Sequence, residues 1–450
     1  MTPPTTLLAE TAARAEDRTA PPARQRLHGR VSWIVIFVAI ATIATGAIVH
    51  HTTGRLGTAL PPFVASWAPQ AQLGPALVAA AALALAVALL PRLVAAPRVT
   101  PLAFDIIILL VALGLGLAIG AAREGVHGWW AIFDLGPHGS FEARNEYLPG
   151  LPTLSYGTGF YLDRFAELVP SQPVNVAGHP PGPLLLMDLL GVRTAQGLAA
   201  LCMFAAAACA PLAHRLGRTL DGEHAGRVAG ALCALSPVVL LFGFTSYDAV
   251  FAACGTATAL LLVTPRTRAV GAVALALSAF LSWALLAVGA WAAVVVWRRE
   301  GMRAALILAA ACAGALLVFN IILAAATGYD PIGTLRATEQ VYRASVAQRR
   351  PLWFWAFGSP VAWGVLLGPP LVACALRSAT AARATGLATA IVIAVAAGGG
   401  FTKAETERIW LFLVPLACVA AAPHVRRLTP LLAALAAEAL AVQLLTGTVW

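Results

Sequence analysis

The sequence predicts an all-α polytopic membrane protein with about thirteen transmembrane helices, and three observations predict it. Of 450 residues, 60% are hydrophobic and only 11% charged, whereas about a quarter of residues in soluble domains carry charge. Apolar runs recur at close to the roughly 20 residues a helix needs to cross about 30 Å of hydrocarbon. They are unbroken rather than alternating, which selects helices over barrel strands as the means of satisfying the backbone in lipid. Finally, the short connections alternate between arginine-rich and arginine-poor, as successive loops on opposite faces of a membrane do.

In chain order, residues 1–31 hold Arg14, Arg18, Arg24, Arg26 and Arg30 among Pro, Ala and Thr. With no apolar run leading to a cleavage site, they read as a disordered basic cytoplasmic tail rather than a cleaved signal peptide. Two spans, near 32–50 and 75–91, occupy the segment 32–101, and a third follows at 102–121. After a large external loop at 122–181 come spans near 195–212, 228–245 and 248–264. The stretch 269–297 is too long for one ordinary span, so it divides into two short ones around Ser282. A span at 303–326 leads into a second large external loop at 327–354, followed by spans near 355–376, 385–400, 410–424 and 428–449.

With the N-terminus inside, 19 of the 30 basic residues fall in cytoplasmic segments, from the tail through Arg92, Arg215, Arg266, Arg298 and Arg383 to Arg427. The positive-inside rule therefore accounts for most of the net charge of +10 without a nucleic-acid partner, and it leaves the C-terminus external. The seven cysteines all lie in apolar runs with no paired spacing, so they read as small core hydrophobes.

Polar chemistry concentrates in the external loops. The first holds six of the 20 acids, including Asp134, Glu142 and Glu146. Its segment Gly139 to Leu148 predicts a short helix capped by Ser140, with Glu142 and Glu146 four apart on one face and Arg144 pointing elsewhere. After Gly157-Thr158-Gly159, the run Phe160 to Val169 reads as an amphipathic helix in the interface plane. His179-Pro180-Pro181 rigidifies the entry to the next helix and places His179 at the membrane surface. The last short external loop packs Lys403, Glu405, Glu407 and Arg408 beside Trp410, as a functional cluster or an interfacial anchor.

These motifs, in this order, resemble the GT-C superfamily of membrane glycosyltransferases, of the protein O-mannosyltransferase and aminoarabinose transferase (family 39-like) type. The resemblance rests on an acid-rich segment ending in Glu146-Tyr147-Leu148, on His179-Pro180-Pro181 with an apolar helix ending at Gly191, and on Ser236-Pro237 followed by Ser246-Tyr247-Asp248. It covers roughly 102–265. It implies a seven-helix module at 102–326 with a catalytic loop at 122–181, the second large loop and C-terminal spans filling 327–450, and two extra N-terminal spans. Where the family carries an Asp-Glu pair this chain has Asn145-Glu146, so the base is Glu146, Glu142 or Asp134.

The resemblance further implies transfer of a sugar from a polyprenyl-phosphate donor, within the membrane lipids, to a glycan, lipid or protein acceptor on the external face. A carboxylate would take the acceptor's proton, and cations would stabilise the departing lipid phosphate. Arg408, Lys403, Arg343, Arg349 and Arg350 are candidates, with Arg144, Tyr147, His179, Glu405 and Glu407 lining the substrate site. The pattern demands no cofactor, and a divalent cation on Glu142 and Glu146 stays open. Two rivals remain: a transporter or flippase for a lipid-linked glycan, and a non-catalytic subunit of an envelope-assembly complex.

Overall fold

An apolar helix still has to cap its ends, and the computed structural model, which describes residues 22–345 and 350–448, shows how this chain does so. The helix Pro101–Glu124 opens with Pro101 after Thr100, whose hydroxyl accepts from Ala103 N at 3.2 Å. The helix Ala195–Asp221 opens the same way on Thr194, which accepts from Gly197 N at 3.0 Å. Both threonines satisfy donors that the helix itself leaves without a partner.

The chain forms two units, Met1–Ala41 and Thr42–Trp450. Of the expected basic tail, residues 1–21 lie outside the described residues. From Pro22 the chain is already helical, in a helix that continues to Thr53, so the helix starts ten residues earlier than expected. Proline at the first helical position followed by Ala, Arg, Gln and Leu favours that start.

Among the described residues, seven helices are long and apolar enough to cross a bilayer, or nine if each of two bent pairs is one span. That falls short of the thirteen expected because several apolar stretches form shorter helices. The stretch 228–245 becomes the helix Glu223–Ala234, a break at Ser236-Pro237 and a wide turn at Val239–Gly243. The stretch 269–297 does divide at Ser282, whose backbone is extended, giving Arg268–Leu281 and Leu286–Glu300. The stretch 355–376, expected to be one span, is instead bent by 114° between Leu352–Leu367 and Pro369–Thr380. Pro369 and Pro370 have no N–H to give the preceding turn, and Gly368 takes a φ of +104° that L side chains avoid.

The core of the larger unit is built on the most enclosed helices. The span Thr406–His424 is 89% buried over its apolar window, whereas Met302–Thr327 is 11% buried and so peripheral. Around the first lie Ala195–Asp221, Glu223–Ala234 and Asp248–Val263, whose alanines, glycines and cysteines allow close approach. The seven cysteines are all free, six of them buried.

The connections sort into two ends. At one, Arg227 donates to Ala96 O and Val99 O, Arg299 to Leu220 O, and Arg383 pairs with Asp221. At the other, the short strands Ala65–Trp67 and Thr446–Thr448 pair antiparallel, Arg123 donates to Gln443 O, and Val64 N donates to Glu407. The arginine-bearing connections thus gather at one end and the acid-bearing loops at the other.

In the first large loop the expected helix over 139–148 is a single 3-10 turn, Phe141–Arg144, although Ser140 caps it as expected. The expected helix over 160–169 is broken at Arg164 into Thr158–Asp163 and Phe165–Leu168. Tyr161, Phe165 and Val169, four residues apart, are fully buried.

Candidate functional site

At the acid-bearing end three segments distant in sequence meet: the first large loop, the start of the helix Asp248–Val263, and the connection leading into the span Thr406–His424. Arg408 is the point of contact. Its guanidinium pairs with Asp248 at 3.0 Å, both side chains being 8% exposed, and with Glu405 at 3.5 Å. Asp248 is fixed in turn: Ser246 donates to its carboxylate at 2.6 Å, and its own N–H donates to Ser246 Oγ at 3.0 Å.

The connection carrying Arg408 is held in an uncommon conformation. Ala404 and Glu405 both have positive φ, 66° and 60°. For residues with a Cβ this costs free energy and persists only where surrounding contacts impose it. Here Ser359 O accepts from Thr406, Thr402 accepts from the Trp410 indole, and Arg350 donates to both Lys403 O and Glu405. Glu407 points the other way, accepting from Val64 N at 2.7 Å. The result is that Arg408 enters the interior while Glu405 stays at its rim.

Glu146 faces this cation. The residue is 1% exposed, and neither carboxylate oxygen makes a hydrogen bond of ordinary geometry. Burial pushes its carboxyl up to about 7, against the opposing pull of the Arg408 guanidinium and the Asn175 side chain. Beside it Tyr147 stacks on Tyr247 with ring centroids 4.5 Å apart, and its phenol lies 3.2 Å from His179 Nδ1. Burial raises the phenol well above its ordinary value.

His179 has a definable tautomer. Its Nδ1 sits 2.7 Å from Asn175 O, which can only accept, so Nδ1 carries the proton and Nε2 is left as an acceptor. Burial lowers the pKa of the imidazole and favours the neutral ring. The rigid Pro180-Pro181 pair holds this residue, and Gly182 packs so closely on Phe280 O that any Cβ would clash.

Of the residues expected from sequence, Glu146, Tyr147, His179, Glu405 and Arg408 therefore share one site, with Glu407 and Lys403 supporting its wall. Others lie apart. Asp134 is 29% exposed, 3.6 Å from His127, and caps Gly136 N. Glu142 does not share a face with Glu146; it accepts from the Asn145 amide at 2.7 Å, because a 3-10 turn rather than an α-helix carries it. Arg144 is exposed, and Arg343 pairs with Glu339 on the exposed side of the helix Pro331–Ala344. Arg349 lies outside the described residues.

Sequence reasoning left three residues out of the site. Asp248 was visible as an acid opening an apolar helix, yet nothing in the pattern paired it with Arg408, 160 positions later. Ser246 travels with it. Asn175 had no signal at all, since its place depends on how the loop folds. Among the described residues no group of three His, Cys, Asp or Glu side chains is arranged to hold a metal ion. The chain matches no known protein-family model and no curated protein.

Proposed function

We propose that the protein is a GT-C-type membrane glycosyltransferase that moves a sugar from a polyprenyl-phosphate donor to a glycan, lipid or protein acceptor. The observation that carries this reading is Glu146: a fully buried carboxylate beside the Asn175 side chain and opposite a buried arginine, its carboxyl pushed up to about 7 by burial. A general base operating near neutral pH needs this kind of environment.

In the proposed reaction Glu146 takes the proton of the acceptor hydroxyl as that oxygen attacks the anomeric carbon. The bond from that carbon to the phosphate oxygen breaks, and the electron pair leaves with the lipid phosphate. Arg408 receives the phosphate charge, its rotamer fixed by Asp248 and Glu405. His179 Nε2 is placed to accept a hydrogen bond from the sugar or the acceptor.

The proposal puts this end outside the cell membrane, with the N-terminus cytoplasmic and the C-terminus external, and counts the shorter helices as crossings. Asp248–Val263 starts at Arg408 and Arg268–Leu281 ends beside Gly182, which supports reading that bent pair as one pass in and one back out. The test is transfer from a radiolabelled polyprenyl-phosphate sugar by purified protein in liposomes. Wild type should transfer, and Arg408→Lys, which keeps the charge but loses the planar fork, should be slower by about tenfold or more. Wild-type rates in Arg408→Lys at equal abundance would reduce the cluster to a membrane anchor.

One observation favours a transporter as the second reading. Glu438 Oε2 lies 3.5 Å from where a Cβ on Gly368 would sit, at the 114° break, and broken helices beside carboxylates mark ion paths in transporters. Movement of labelled lipid-linked sugar across the liposome, lost in Glu438→Gln and kept in Glu146→Gln, would favour it.

A further inference from the structure

At the arginine-bearing end, away from the Arg408 cluster, a surface cavity of about 270 Å³ opens between the end of the helix Leu286–Glu300 and the start of the helix Ala384–Gly398. It is lined by Arg298, Arg299, Arg383, Ala382, Thr385 and Asp221 among others. Three guanidinium groups around one hollow repel each other, and the local acids offset them only in part. Asp221 is committed to Arg383 at 2.9 Å, and Glu300 to Arg268. Arg298 and Arg299 donate to neutral carbonyls, of Ala382 at 3.3 Å and Leu220 at 2.7 Å, which orient them, and Glu300 balances part of the Arg299 charge. The positive-inside rule explains why arginines lie at this end but not why three converge on a cavity.

The same hollow receives the first turn of Ala384–Gly398, which has no side-chain cap. Its leading N–H groups add positive potential to that of the guanidiniums. The approach to that helix passes through Ala382 at a φ of +54°, which presents the Ala382 carbonyl to Arg298.

We propose that this cavity binds a phosphate group carrying net negative charge, with Arg298, Arg299 and the first turn of Ala384–Gly398 as its donors. Basic pockets between membrane helices at the headgroup level take anionic lipid headgroups in this way. A soluble phosphate compound would present the same chemistry, and the experiment separates the two.

Purified full-length protein in detergent is titrated with phosphatidylglycerol or phosphatidylcholine of equal chain length, with retained lipid read by native mass spectrometry. In parallel, inorganic phosphate is added and the thermal unfolding midpoint recorded. Preference for phosphatidylglycerol, falling about fivefold or more in Arg298→Gln, assigns the site to a lipid headgroup. A midpoint raised by inorganic phosphate in wild type but not in Arg298→Gln, without lipid preference, assigns it to a soluble phosphate. Asp221→Asn removes the one lining acid and should tighten either ligand. If neither probe binds, or if Arg298→Gln and Asp221→Asn both bind as wild type does, the proposal is wrong.

Discussion

Glu146 has an unusual consequence for stability. A carboxyl titrating near 7 in the folded chain and near 4.5 when unfolded binds more protons folded than unfolded between those values. Stability is therefore lost as pH rises from 4.5 to 7 and stays lower above that. Glu146→Gln keeps the shape and never ionises, so it should unfold at a higher temperature than wild type at pH 8, by about 3 kcal/mol at most. The advantage should vanish below pH 4.5. Equal midpoints at pH 8 would mean that the carboxylate finds a partner in solution. Asp248→Asn should act oppositely: it leaves the Arg408 charge buried with less compensation, costing about 3–5 kcal/mol, as read in the same melts. Sequence made Glu146, Tyr147 and Arg408 visible because each stood in a dense polar motif, and His179 because a proline pair follows it. It misplaced Glu142 because the four-residue spacing argument assumes an α-helix, and a 3-10 turn sets a different angle between the same positions.

At the scale of elements, the divisions of the long apolar stretches decide where polar groups sit. Ser282 was legible because 269–297 exceeds any ordinary span. The bend at Gly368 was not, although Gly368-Pro369-Pro370 carries the signal, because continuous hydropathy outweighed it. A Cβ at Gly368 would lie 2.1 Å from the Leu435 side chain and would face a φ of +104°. Gly368→Ala should thus destabilise by about 2 kcal/mol or more. Gly314, inside the peripheral helix Met302–Thr327, has open space around it, so Gly314→Ala should be neutral or slightly stabilising. Thermal melts of the pair check this, and equal midpoints would refute the bend. The three-residue strand pair was beyond sequence reasoning, since its partners lie some 380 positions apart.

For the whole molecule, the alternation of arginines along the chain predicts sidedness, because sidedness depends on charge between spans and not on where each helix stops. The proposed orientation makes Ser171 and Ser345 external and Ala95 and Gly301 cytoplasmic, and all four positions are exposed. Cysteines at 171 and 345 should react with an impermeant thiol reagent on intact cells, and cysteines at 95 and 301 only after lysis. Labelling of 95 but not 171 would invert the molecule and remove the site from the external face. The most direct test of the central claim is the pH dependence of sugar transfer by reconstituted wild type and Glu146→Gln. The account predicts a wild-type rate that rises through about pH 7, as Glu146 loses its proton, and a variant slower by about 10² to 10⁴ at every pH above it. A Glu146→Gln enzyme with the wild-type rate and the same pH profile would contradict it.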